Sequence, residues 1–441
     1  MPPACVIVPR GHTFQPLALQ SSQTAHSVFM DDRPQLLVLT PAFPYPPASG
    51  GDIRIFHLLR HLASSFAVHL LSFTGGPSEA LIRETGITAV HLYDSADAWS
   101  SSGDRRPRIR FWRHAPHGLS LDVDPGYARA LSRLVAATAF DAVLIDHLYM
   151  MQYARFVHRL PVFYSATDVE TTKFERWYEN EHLSPKRRLL HWAQRRVVQW
   201  HESRIGKRVR VTFATSTVDR DALVRMNRSG RFVVVPNGVD LNYFRPRPRV
   251  SFGGPPRIFF VGTMYYRPNY LAARFLARDV FPLIRREVPD ASCHLAGKTN
   301  EEDYSELHRP GMGVFMHGFV DDVRPHLEES QILVAPLRVG SGTRIKILEA
   351  MASGTPVVST TIGAEGLECT HEENILLADT TEDLAAACVR LLRDREECVR
   401  LGTAGRRLVE QKYSWDASGE VLRSEIGRAL GKESRHRASA D

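Results

Sequence analysis

From Gln35 onward, short apolar runs alternate with helix-length amphipathic stretches. The runs are "LLVLT", "AVHLLSF", "TAVHLY", "AVLID", "PVFYSA", "RVTFATS" and "FVVVP", with amphipathic spacing over Asp52 to Leu62 and Gly126 to Ala137 and a long polar helix after "PVFYSA". This alternation predicts parallel strands covered by helices. After Pro236-Asn237-Gly238 and the linker-like "FRPRPRVSFGGPP" the pattern restarts. "RIFFVG", a helix from Asn269 to Arg286 with Pro268 near its first turn, and "CHLAG" form one βαβ unit. The strands "VFMHG", "ILVAP", "PVVST" and "NILLA" follow, and helices run from Thr381 onward.

The expected architecture is α/β, with two doubly wound domains facing across a cleft. Residues 1–34 read as a tail, 35–235 as the first domain and 236–410 as the second. Residues 411–431 read as a C-terminal helix crossing back to the first domain, and 432–441 as a second tail. In open α/β sheets, ligands sit beyond the carboxyl ends of the strands, so the cleft is the place to look for chemistry.

One stretch, "LRVGSGTRIKILEAMASGTPVVS", points to a ligand. Strand "ILVAP" ends at Pro336, and a loop with Gly340, Ser341 and Gly342 feeds a helix that Thr343 is expected to cap. Bare backbone N–H groups then face out of a positive helix end. Arg344 and Lys346 in the first turn oppose the helix dipole, which is unfavourable unless an anion lies between them. Ile345, Leu348 and Ala352 seat the helix on its sheet, and Gly354 with Pro356 stops it. Glu349 lies about 7.5 Å beyond Arg344 along the axis at 1.5 Å per residue, too far to share a phosphate and well placed for a ribose diol. Diphosphate beside ribose describes a nucleotide.

Composition narrows the class. The chain has 441 residues, 43% hydrophobic and 24% charged, which suits a folded protein of two or more domains. Five scattered cysteines give neither a disulfide framework nor a zinc site, which fits a reducing cytosol. No apolar run is long enough to span a membrane and no signal peptide is evident, so the N-X-S match at Asn227 carries no meaning. The net charge of +7 is partly local: Lys186 to Arg210 holds nine Lys/Arg against the single acid Glu202, and Arg105 to Arg113 adds five arginines. Leu189, Trp192, Ala193, Val197 and Trp200 share one helical face, with Arg187, Arg188 and Arg195 off it. That helix reads either as a solvated face whose tryptophans pack on the first domain or as a surface for anionic lipid. No nucleic-acid module accompanies the charge.

The motifs "VVPNGVDLNYFRP", "FFVGTMYYRPN", "HGFVDDV", "ILVAPLRVGSGTR" and "RIKILEAMASGTPVVST", in this order, resemble the retaining glycosyltransferases of family 4, which have the GT-B fold. The likeness runs from about Gln35 to Leu430. It implies transfer of a sugar from a nucleotide-diphosphate donor, UDP or GDP, to an acceptor hydroxyl on a glycan, a lipid or a small molecule. It implies that Glu349 holds the donor ribose, that Arg344 and Lys346 neutralise the diphosphate, and that no metal is needed. Members usually carry a second glutamate eight residues before Glu349, where this chain has Ser341. They often place an Arg and a Lys after the first strand of the second domain, where this chain has Gly262, Thr263 and the run to Arg267.

The same likeness gives Gly50 and Gly51, after the first strand, a contact with donor phosphate or acceptor; the alternative is a plain turn. His147, at the end of "AVLID", stands beside the transferred sugar or is structural, and Asp146 orients it or caps the strand. Of Asp168 and Glu170 at most one is expected to touch acceptor, with a helix cap the other reading of Asp168. Asp122-Val123-Asp124 spells a metal-binding D-x-D but reads as a chance match in a loop. A sugar-nucleotide epimerase and a nucleotide-sugar-binding partner without catalysis remain open beside the transferase. The expected place of work is the cytosol, at the inner face of the membrane if the basic helix binds lipid.

Overall fold

The computed structural model describes residues 32–73, 75–93, 123–179, 184–227, 229–246, 254–340 and 342–437. Residues 1–31, the arginines of 105–113, Asp122 and Ser341 lie outside the described residues.

The strands are β1 (Gln35–Thr40), β2 (Ala67–Ser72), β3 (Ala89–Leu92), β4 (Ala142–Asp146), β5 (Val162–Ala166), β6 (Val211–Ala214) and β7 (Phe232–Val234) in the first half. The second half has β8 (Arg257–Val261), β9 (Ser292–Ala296), β10 (Val314–Met316), β11 (Ile332–Ala335), β12 (Val357–Ser359) and β13 (Leu376–Leu377). One sheet has the order β3-β2-β1-β4-β5-β6-β7 and the other β10-β9-β8-β11-β12-β13. Every neighbouring pair is parallel, with Leu36 opposite Val68 and Ala142, and Phe259 opposite His294 and Leu333.

Both faces of the first sheet are covered. Leu37 and Leu39 enter one core cluster, while Leu36 and Val38 enter another with Leu58, Leu62, Leu422 and Ile426. That is why "LLVLT" is apolar at consecutive positions: alternate side chains serve opposite cores. Each fully buried side chain of this size contributes about 1.5 to 3 kcal/mol by transfer from water. Leu422 and Ile426 belong to the last helix, Trp415–Arg437, which lies against the helix Gly50–Leu62 of the first half and runs beyond residue 431 to Arg437.

Two local expectations need correction. The helix expected over Asn269 to Arg286 is three segments: α over Arg267–Phe275, a π turn over Leu276–Val280, and α over Phe281–Glu287. Pro282 has no N–H to give, and the wider turn just before it accommodates the missing bond. The helix after the Gly loop spans Ile345–Ala352, with Arg344 rather than Thr343 at its N-cap position and no side-chain cap. Thr343 is buried, its hydroxyl unpartnered, and its carbonyl accepts from Asn237 Nδ2 at 3.3 Å.

Strand order reverses between β1 and β4 in the first sheet and between β8 and β11 in the second. Those are the switch points at which doubly wound sheets open a crevice. The helix Gly50–Leu62 starts near one and the helix Ile345–Ala352 near the other. Their first turns meet, for a Cβ on Gly50 would lie 3.7 Å from Ile345 Cδ1.

Candidate active site

The second half supplies the cations. Gly340 and Gly342 have φ of 127° and 74°, conformations that L side chains rarely adopt. A Cβ on Gly340 would lie 2.7 Å from Arg344 Nη2, so the absent side chain lets the guanidinium fold back over the loop. Arg344 Nη1 donates to Gly342 O at 2.6 Å. Lys346 reaches to the end of β8: its Nζ donates to Asn269 Oδ1 at 2.8 Å and lies 4.3 Å from the Phe260 ring centroid. A Cβ on Gly262 would lie 2.7 Å from that Nζ, so Gly262 and Lys346 are close neighbours. Asn269 Nδ2 donates in turn to Thr263 O at 3.1 Å.

Burial, with Arg344 adding repulsion, brings the Lys346 ammonium down to about 7 although Glu349 opposes the shift. Burial pushes the Glu349 carboxyl up to about 7, with Lys346 opposing. Burial thus moves both groups of this pair toward their neutral forms, the kind of perturbation that clusters at functional sites.

The first half supplies His147 and a carboxylate cluster. His147 has φ of 70°, unusual for a residue with a side chain, and its Nδ1 lies 2.6 Å from Asp146 Oδ2. That contact leaves Nε2 free to face the Gly51 backbone, where a Cβ would lie 3.8 Å away. Burial alone would lower the His147 pKa, but the Asp146 charge and hydrogen bond, joined by Asp168 and Glu170, hold it above the ordinary value. Ser49 and Asp52 form a capping box at the helix that Gly50 opens.

Lys173 Nζ bonds to Asp168 Oδ2 at 3.1 Å and to Glu170 Oε1 at 3.2 Å, so one cation gathers both carboxylates. The first N–H groups of the helix Glu170–Glu179 are met by Glu202, whose two oxygens accept from Glu170 N at 2.8 Å and Thr171 N at 2.9 Å. Asp168 faces the Gly loop, where a Cβ on Gly342 would lie 2.8 Å from its Oδ1. Arg176 also crosses the cleft, donating to Gly340 O at 2.8 Å and to Glu365 Oε1 at 2.6 Å. Asp124, the described member of the D-x-D, accepts from Tyr127 N at 2.8 Å as a helix cap. Among the described residues no group of three His, Cys, Asp or Glu is arranged to hold a metal ion.

Residues 48–243 match the family described as Glycosyltransferase Family 4, and residues 255–394 match Glycosyl transferases group 1. The chain belongs to glycosyltransferase family 4. The chain is 26% identical over 234 residues to the GDP-mannose-dependent alpha-(1-6)-phosphatidylinositol monomannoside mannosyltransferase of Mycobacterium tuberculosis, covering 48% of this chain and 60% of that one. It is 29% identical over 241 residues to the phosphatidyl-myo-inositol mannosyltransferase of Mycobacterium leprae, covering 52% and 59%. The match therefore spans about three fifths of each relative's length. Among solved structures, sucrose-phosphate synthase from Thermosynechococcus elongatus superposes with a TM-score of 0.71 at 17% identity, over 91% of this chain and all of that one. Anabaena Alr3699/HepE, in complex with UDP and glucose, gives 0.63 at 16% identity over 90% and 100%. These likenesses establish the GT-B fold.

Sequence reasoning missed Lys173, Arg176 and Asn269, and also Arg54. The last is 1% exposed, with Nη1 on Val235 O and Asn237 Oδ1, both at 2.9 Å. A signal existed for Arg54: it falls on the buried stripe with Leu58 and Leu62, where a cation must have a polar partner.

Proposed function

We propose that this glycosyltransferase moves a sugar, with retention and without a metal, from a nucleotide-diphosphate donor to an acceptor hydroxyl. The observation that carries the reading is the convergence of Arg344 and Lys346 on the switch point of the second sheet, beside Gly262 and Gly340, opposite His147. Preorganised cations and loop N–H groups act on charge that develops as the diphosphate departs, which makes them worth more in the transition state than in the ground state. Lys346 and Arg344 take the diphosphate, and Glu349 accepts from the ribose diol. Gly50 and Gly51 leave room for phosphate or sugar between the two helix starts.

His147, oriented by Asp146, presents Nε2 to the transferred sugar as a hydrogen-bond donor. The Asp168–Lys173–Glu170 cluster lines the acceptor side. UDP and GDP are the favoured bases: HepE was solved with UDP, and the mycobacterial relative is named for GDP-mannose. The relatives named for phosphatidylinositol acceptors favour a lipid-linked acceptor over a free glycan or small molecule. Such an acceptor supports a reading of the enzyme as cytosolic and peripheral at the inner membrane face.

Melting shifts against UDP-, GDP- and ADP-sugars identify the donor, and turnover of that donor in the presence of chelator tests the rest. Sugar transfer that persists supports the proposal. An isomerised donor formed without acceptor means an epimerase, and binding without any turnover means an inactive partner.

A further inference from the structure

We propose that the helix Pro185–Glu202 and the turn after it form a docking face for an anionic lipid bilayer. Three observations carry this. First, the apolar residues of the helix do not all pack inward: Leu189 is 68% exposed, Trp192 53% and Trp200 49%. At spacings of three and eight they stand on one side of the helix, and isolated exposed apolar residues are ordinary whereas an aligned set with two tryptophans is not.

Second, cations flank them. The Arg196 guanidinium lies 5.5 Å from the Trp192 ring centroid and that of Arg204 lies 3.8 Å from the Trp200 ring. Arg188 and Lys207 are exposed at the two ends of the stripe. An indole with a cation at its rim matches the headgroup layer of a membrane, where the ring enters the acyl boundary and the charge stays with phosphate.

Third, the segment shows no negative charge on that side. Its single acid, Glu202, is fully buried and spent on the N–H groups of Glu170 and Thr171. Arg195, half-buried, is paired with Glu175. What remains outward is basic and aromatic, complementary to an anionic surface carrying an apolar layer beneath it. A nucleic acid or an acidic protein would satisfy the charge but would leave the Leu189–Trp192–Trp200 stripe without a reason.

The placement gives the face a purpose. Glu202 ties the end of this helix to the start of the helix that carries Glu170 and Lys173, so the docking face adjoins the acceptor side of the cleft. That purpose rests on the lipid-linked acceptor proposed above. Binding to vesicles is read without donor or turnover, so a failure of either reading leaves the other standing.

The experiment is co-sedimentation of the whole protein with phosphatidylcholine vesicles, with and without phosphatidylglycerol, at low and high salt. It is paired with quenching of tryptophan fluorescence by lipids brominated along the acyl chain. Binding is expected only with the anionic lipid, and it weakens with salt. Reversing Arg188, Arg196 and Arg204 to Glu should weaken it by about 100-fold or more, from the attraction each cation contributes near such a surface. Trp192→Ala with Trp200→Ala should abolish the brominated-lipid quenching at an unchanged melting temperature, because both rings are exposed. Binding that ignores lipid charge and the reversal overturns the proposal. So does anionic-vesicle binding that the double tryptophan variant leaves intact, or duplex DNA bound as tightly as vesicles with no effect of the tryptophans.

Discussion

The affinity for a nucleotide sugar should be bell-shaped in pH, with its maximum near neutrality. Lys346 must be charged to neutralise a diphosphate, and burial has brought it down to about 7, so the binding form is lost as pH rises through that value. Glu349 must be a carboxylate to accept from a ribose diol, and burial has raised it to about 7, so its binding form is lost as pH falls. The diphosphate of a nucleotide sugar is esterified at both ends and keeps its charge across this range, so both limbs belong to the protein. Each limb has a limiting slope of one proton, or about 1.36 kcal/mol per pH unit. With both groups titrating near 7, each is half in its binding form at the maximum, so two units to either side cost about 25-fold in Kd, or about 1.9 kcal/mol. Lys346 and Glu349 are one turn apart, so the two midpoints are properties of the pair. Calorimetric titration of the preferred nucleotide sugar from acid to alkaline pH measures the curve. Lys346→Met should flatten the alkaline limb and Glu349→Gln the acid limb. A flat parent profile, or an alkaline limb that survives in Lys346→Met, would show that these residues do not meet the donor.

Arg344→Ala should weaken a nucleoside diphosphate by about 1.5 to 3 kcal/mol, the range for a hydrogen bond to a charged group, and leave the nucleoside unchanged; equal losses by calorimetry would refute the assignment. His147→Ala should lower turnover by roughly 10²- to 10⁴-fold at near-parental stability if Nε2 serves the reacting sugar; a collapsed melting temperature with normal turnover per folded molecule would make it structural. Glu202 is raised to about 7 by burial, so folded protein holds a proton that the unfolded chain has released, and stability should fall as pH rises from 4.5 through 7. Denaturant titrations of parent and Glu202→Gln should diverge over that window by up to about 3 kcal/mol, and parallel curves would contradict the burial argument.

The strands were readable because parallel strands buried on both faces are continuous apolar runs; "LLVLT" and "ILVAP" need no partner to be recognised. The Gly loop was readable because Gly340, Gly342, Arg344 and Lys346 violate helix-start preferences together. Its detail was not: Thr343 has the chemistry of a cap, but its carbonyl is engaged by Asn237, more than a hundred residues earlier, and the helix starts two residues later. The Asp168–Lys173–Glu170 cluster depends on where the helix begins, which Glu202 decides from another element. A lone acid among nine cations was the available hint that Glu202 points inward. Arg176 could not be found, since its partners Gly340 and Glu365 lie in the other half of the chain.

The backbone passes between the halves at two places, and the two crossings touch. Val239 bridges to Ser414, a Cβ on Gly238 would lie 2.6 Å from Trp415 N, and Trp415 stacks on His57 at 4.8 Å. Beyond that crossing, Leu422 and Ile426 fill the core beneath Leu36 and Val38. Synthesis runs from the N-terminus and domains usually close as they emerge from the ribosome, but here the first-made half lacks part of its interior until the last-made helix arrives. Its apolar face stays open while the entire second half is translated, so the nascent first half is the stage at which a chaperone would be needed. A stop codon near residue 414 would harm the half that had been finished longest ago.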